Sequence, residues 1–158
     1  MSYRPELLAH IDFAGTELDW VVECFPAGLL HARPGAEWSV HEALVHLRDV
    51  EIDCYAPRIA ALATADGAFF ADYRGDEYHA EHYDPDEPLA SVLTSFHEAR
   101  SRSLDLLRTL GDGQWQRVGQ HETMGPMAMG YLVEQLYWHT LEHVTQVVGN
   151  RELLAWRS

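Results

Sequence analysis

A four-helix bundle, all-α, is the fold the sequence predicts. Four segments carry apolar residues at steps of three and four, which is the helical period. No convincing strand appears between them. The chain has 158 residues, 47% hydrophobic and 23% charged, enough for one globular domain, 1–158, with a core of its own. Amphipathic helices without strands bury their stripes against one another as a bundle.

The first helix is predicted near 5–25. Its stripe is Leu7, Leu8, Ile11, Ala14, Leu18, Val21, Val22 and Phe25. Pro5 suits a first turn, and Pro26 stops the helix. The second, near 39–65, opens on "SVHE", a capping box in which Ser39 caps and Glu42 reaches back. Val40, Leu44, Leu47 and Cys54 form its stripe, and Pro57 predicts a bend. From Asp66 to Glu87 the chain is aromatic and acidic, without helical period, and long for a simple connection. It could run back along a whole helix or form a lid. The third helix, near 86–110, starts at Pro85 or Pro88 and ends at Gly111, with Leu89, Val92, Leu93, Phe96, Leu106, Leu107 and Leu110 on its core face. "GDGQWQRVGQHETMGP" reads as loop. The fourth helix is predicted near 126–149, between Pro126 and Gly149, with the inward stripe Leu132, Leu136, His139, His143 and Val147.

Charge excludes some functions. A net charge of −14 with eleven scattered basic residues disfavours nucleic acid, whose phosphates need clustered Lys and Arg. No apolar run approaches the roughly 20 residues of a membrane span, and "MSYRPELLAH" has no signal-peptide core. Cys24 and Cys54 form no CxxC, so two free thiols in a reducing cytoplasm are expected.

Ten histidines are the compositional oddity. His139 and His143 stand four residues apart, about 40° apart around a helix, where a bundle helix normally places Leu. One buried histidine is more often a hydrogen-bonded core residue than a ligand. Two polar rings in an apolar seam are costly unless both find partners, and a divalent metal serves both at once. A third ligand must come from another helix. His46, on the flank of the second helix's stripe, is the best candidate, whereas His41 points about 140° away from it. His10, His97 and His121 are further candidates; His31, His79 and His82 fall in predicted loops and read as solvated. "HTLEH" also matches H-x-x-E-H, the inverted zinc-protease signature with Glu142 as base, but the sheet and length of such proteases are missing.

"WSVHEALVHL" together with "WQRVGQHETMGPMAMGYLVEQLYWHTLEHVTQV" resembles the DinB-like family of four-helix metalloproteins over nearly the whole chain. The resemblance implies a DinB/YfiT-like bundle in up-down-down-up order, and places one divalent metal, zinc or nickel, on His46, His139 and His143. It further implies a transferase or isomerase joining a low-molecular-weight thiol, such as bacillithiol or mycothiol, to a small electrophile in detoxification or stress response. Such a site leaves a coordination position open, where a thiol loses its proton at neutral pH. The alternatives are a non-enzymatic metal-binding stress protein and a metal-dependent hydrolase. Glu142, Asp49 and Asp53 are candidates to orient ligands, and His121 and Arg117 to contact substrate. Metal loss in acid is expected near the free imidazole pKa of roughly 6.5. Homodimers are common in the family, and Phe69, Phe70 and Tyr73 would otherwise be exposed.

Overall fold

The computed structural model describes residues 3–155. Its elements are α1 (Tyr3–Glu23), a 3-10 turn (Ala27–Leu29), α2 (Val40–Val50), a π-helical turn (Glu51–Tyr55), α3 (Ala56–Thr64), β1 (Phe69–Phe70), α4 (Gly75–His82), α5 (Leu89–Thr109), α6 (Asp112–Trp115), β2 (Val118–His121), β3 (Gly125–Ala128) and α7 (Met129–Ala155). The four predicted bundle helices are α1, the rod formed by α2 with α3, α5 and α7. None of the described helices is long and apolar enough to cross a membrane.

The capping box forms as the sequence predicts: Ser39 Oγ accepts from the Glu42 amide and Glu42 Oε2 accepts from the Ser39 amide. The bend expected at Pro57 takes the form of the π-helical turn just before it. Pro57 has no amide to donate, and its ring would crowd the carbonyl four residues back. The chain widens there, and the Ala56 amide reaches the Glu51 carbonyl instead.

The order of the helices follows from two apolar clusters. At one end Leu7, Leu8 and Ile11 of α1 pack with Ile59 and Leu62 of α3, Leu104 and Leu107 of α5, and Leu132 and Leu136 of α7. At the other, Leu18, Val21 and Val22 of α1 meet Leu44 and Leu47 of α2, Val92 and Phe96 of α5, and Val147 of α7. Hence α1 and α7 run one way and both α2–α3 and α5 the other, which is up-down-down-up. Residues 65–88 must therefore travel the length of the bundle between two parallel rods. Phe70 packs in the first cluster and Tyr83 against the second, and α4 lies between them, so the run-back reading of this segment holds.

Three expectations are corrected. First, the chain does contain strands. β2 and β3 form a hairpin with His121 opposite Gly125, and β1 lies parallel to β2 with Phe70 opposite His121. Phe70 is therefore buried rather than left for a dimer, with Phe69 exposed beside it. Gly119 makes the packing possible, because a Cβ there would sit 2.3 Å from Phe70 Cε2. Second, Pro126 lies within β3 and does not open the last helix, which begins at Met129 and continues through Gly149 to Ala155. One interior glycine costs about 1 kcal/mol, and Leu154 packing against the second cluster offsets it. Third, the 66–87 segment is not wholly irregular, since α4 forms within it.

Between the two clusters sits a charged layer. The Arg100 guanidinium donates to both carboxylate oxygens of Glu51 at 2.9 Å and to Thr140 Oγ1 at 2.9 Å. It also reaches the Ile11 carbonyl at 3.5 Å and lies over the Phe96 ring. Arg100 and Glu51 are 3% and 1% exposed, so one side chain contacts all four rods. Arg100→Met alone strands a buried carboxylate and should destabilise the fold by about 3–5 kcal/mol, whereas Arg100→Met/Glu51→Leu should recover most of that loss. Urea unfolding followed by circular dichroism checks both. A single-variant cost under about 1 kcal/mol would contradict the role given to the pair.

Candidate metal centre

The structure brings His46, His139 and His143 together. One nitrogen from each ring lies within 4.8 Å of the others. Among the described residues this is the one such group of three or more His, Cys, Asp or Glu. His139 and His143 occupy successive turns of α7, their Nε2 atoms 3.2 Å apart and their rings perpendicular. The His46 ring comes from α2, with its centroid 5.5 Å from His139 and 5.4 Å from His143.

Two features fit a metal better than a self-satisfied core. The His46 Nδ1 is buried and has no hydrogen-bond partner, a cost that folding does not usually leave unmet. His143 Nδ1 donates to Gln146 Oε1 at 2.8 Å, which leaves a lone pair on its Nε2 facing the other rings. Such a partner on the far nitrogen is the usual support of a ligating histidine. Gln146 is a contributor the sequence reading missed, although its i+3 spacing from His143 was visible.

Burial sets the protonation state. It pushes His139 down to about 3, helped by His143, His46 and Arg100, and His143 down to about 4, helped by His46. His46 is also lowered, mainly by burial. All three rings are neutral at pH 7 and ready to bind without losing protons. The acid limb expected near 6.5 is thereby moved downward.

Residues of the connection close over the site. Gly75 lies against His46, and a Cβ there would be 2.9 Å from His46 Cε1. Trp38 packs on His46 with centroids 4.8 Å apart, and His79 packs on Trp38 at 4.6 Å. His79 is thus buried, with neither ring nitrogen hydrogen-bonded to the protein; the solvated reading is wrong because α4 turns it inward. His31 and His82 are exposed as expected.

His41 points away from the centre, as predicted, but does more than start a helix. Its Nε2 donates to the Glu87 carbonyl and its Nδ1 accepts from the Tyr83 hydroxyl, fastening the connection to α2. None of the other candidate histidines joins the group. His10 is exposed near Tyr137, His97 pairs with Asp19, and the buried His121 Nδ1 accepts from the Thr123 and Met124 amides. Arg117 donates to the carbonyls of Leu62 and Ala63, so it caps α3 instead of facing substrate. Asp49 pairs with Arg48.

Two cavities flank the triad. One, of about 550 Å³, is lined by His46, His139, His143, Glu142, Gln146 and Trp38; the other, of about 470 Å³, by His46, His139, Tyr55, Tyr73 and Cys54, with Asp76 at both. The group is therefore accessible from two sides.

The sequence matches the family model of the DinB superfamily over residues 10–147. No curated protein matches it. The fold is similar to that of YfiT from Bacillus subtilis, described as a probable metal-dependent hydrolase with an unusual four-helix bundle topology. The two align with a TM-score of 0.87 at 20% identity, covering 99% of this chain and 91% of that one.

Untagged protein loaded with zinc should lose its metal in the His139→Ala/His143→Ala variant and keep it in His121→Ala. The parent should hold metal as pH falls through 6 and release it as pH approaches about 4, where His143 gains a proton. Metal analysis after dialysis at each pH reads both. Unchanged metal in the double variant would make the histidines core residues.

Proposed function

The chain belongs to the DinB superfamily, and from that premise we propose that it is a metal-dependent thiol S-transferase of the bacillithiol or mycothiol type, acting on small electrophiles in detoxification or stress response. The observation that carries this reading is the neutral three-histidine group with a cavity on each side. A structural metal site is closed by four protein ligands, whereas three ligands beside an opening leave room for a reactant. Two cavities meeting at one centre suit two reactants better than one.

His46, His139 and His143 would hold the ion, zinc or nickel. When bound there it supplies Lewis acidity, which lowers the proton affinity of a thiol or water that reaches it. Gln146 holds His143 with its lone pair inward. Glu142 and Asp76, carboxylates at the cavities, can accept the proton a thiol gives up. Gly75 and Trp38 screen His46 from water and strengthen the electrostatics at the centre. The free thiols of Cys24 and Cys54 support a cytoplasmic setting. Hydrolysis is the second reading, supported by the description of YfiT.

A homodimer is part of the proposal. Phe13 and Trp20 of α1 and Tyr131 and Trp138 of α7 are exposed on adjacent helices, an apolar face that a second copy would cover. Trp20→Glu/Trp138→Glu should shift the mass seen by light scattering from two chains to one; a monomeric parent would refute this.

The function is tested by a panel of electrophiles assayed with zinc- or nickel-loaded protein and each candidate thiol. Consumption should require thiol and should disappear in His46→Ala. Turnover with water alone would favour the hydrolase, and a metal that only raises stability would favour the non-enzymatic protein.

A further inference from the structure

Tyr73 presents an anomaly that the metal reading does not use. Its hydroxyl is buried and has no hydrogen-bond partner in the protein, yet the side chain lines the cavity that also exposes His46 and His139. Tyr73 and His46 face each other across the backbone of Gly75. The point where a Cβ of Gly75 would lie is 2.9 Å from His46 Cε1 and 3.3 Å from Tyr73 Cε1. Only a residue without a side chain lets the strand of chain before α4 bring this phenol so near the triad. A buried hydroxyl left without an acceptor costs about 1–3 kcal/mol, and a cavity beside it is where an acceptor would come from.

We infer that Tyr73 is a catalytic hydrogen-bond donor, serving the carbonyl oxygen of a neutral, oxygen-bearing electrophile bound in this cavity. The inference rests on the metal reading of the triad given above. The cavity wall selects such a ligand. Asp76 and Glu77 outnumber the one cation, Arg74, which is itself paired with Glu77, so an anionic substrate is disfavoured and a neutral one accepted. The Tyr55 ring stands 5.9 Å from His139 and gives the cavity an apolar, aromatic side.

The chemistry needs a donor there. When a thiol attacks a carbonyl-activated carbon, one sulfur–carbon bond forms and the C=O π pair moves onto oxygen. The thiol proton goes to a carboxylate at the cavity, and Tyr73 donates to the oxyanion while keeping its own proton. Such a donor acts most strongly where charge develops out of water. Burial, then the Asp53 and Asp49 carboxylates, raises the Tyr73 pKa, so the phenol stays a donor at neutral pH.

Cobalt-loaded protein titrated with acetohydroxamic acid, followed by its visible absorption, tests this without turnover. The probe carries a carbonyl oxygen that gains charge at a metal. Tyr73→Phe keeps the ring and removes only the hydroxyl. It should bind cobalt as the parent does and the probe about tenfold more weakly, the loss of one hydrogen bond to a charged acceptor. Tyr3→Phe, at the exposed start of α1, should bind both normally. Equal probe affinity in Tyr73→Phe and the parent would overturn the inference and leave the metal reading intact. A parent that binds no cobalt would overturn both.

Discussion

A polar group buried in the seam of a bundle must be answered by another, and Arg100 is where this fold meets that demand most completely. Its guanidinium is held by Glu51, Thr140 and the Ile11 carbonyl, so each of the three rods packed around α5 contributes an acceptor. The layer separates two apolar clusters and helps fix the helices in register, since sliding α5 by one turn past the α2–α3 rod would part Arg100 from Glu51, and sliding α1 or α7 would remove a neutral acceptor. Thr140 lies between His139 and His143 in sequence. The turn of α7 that points Thr140 at Arg100 thus sets the two histidines on the neighbouring flank of the same helix. The contrast between the two polar sets is informative: the arginine layer closes on itself, whereas the histidine group leaves a buried nitrogen of His46 unanswered.

The parallel course of α2–α3 and α5 has a functional consequence. A short turn cannot join parallel rods, so residues 65–88 return along the bundle and cross α2 beside His46. That crossing supplies Gly75, Asp76 and Tyr73 to the centre and buries His79 against Trp38. His41 then ties the end of the crossing back to α2 through Tyr83 and Glu87. Topology thereby provides the wall that a histidine cluster drawn from only two rods would otherwise lack.

Much of this was legible in the sequence because it repeats at 3.6 residues. The stripes of α1, α2 and α5, the Ser39–Glu42 box and the placement of His139 and His143 on a core face all follow from that period. His46 was reached both by its position on α2 and by the family motif. What escaped lacks a period or depends on distant partners. β1 has two residues, and β2 and β3 four each, too few to show alternation, and β1 pairs with a strand some fifty residues away. Pro126 suits a first helical turn as well as it suits a short strand, so the sequence misplaced the start of α7. α4 buries only His79 and shows no stripe. Arg100 carried an unread signal, because it stands on the α5 core face between Phe96 and Leu104, where a charge demands a buried partner.

The central claim is that three imidazoles from two helices share one divalent ion, and X-ray absorption of the zinc-loaded protein addresses that claim most directly. The account predicts nitrogen or oxygen neighbours at about 2.0–2.1 Å, with the outer-shell pattern of three imidazole rings and no sulfur. Sulfur scattering at about 2.3 Å, which would bring in Cys54, or a spectrum without imidazole rings, would contradict it.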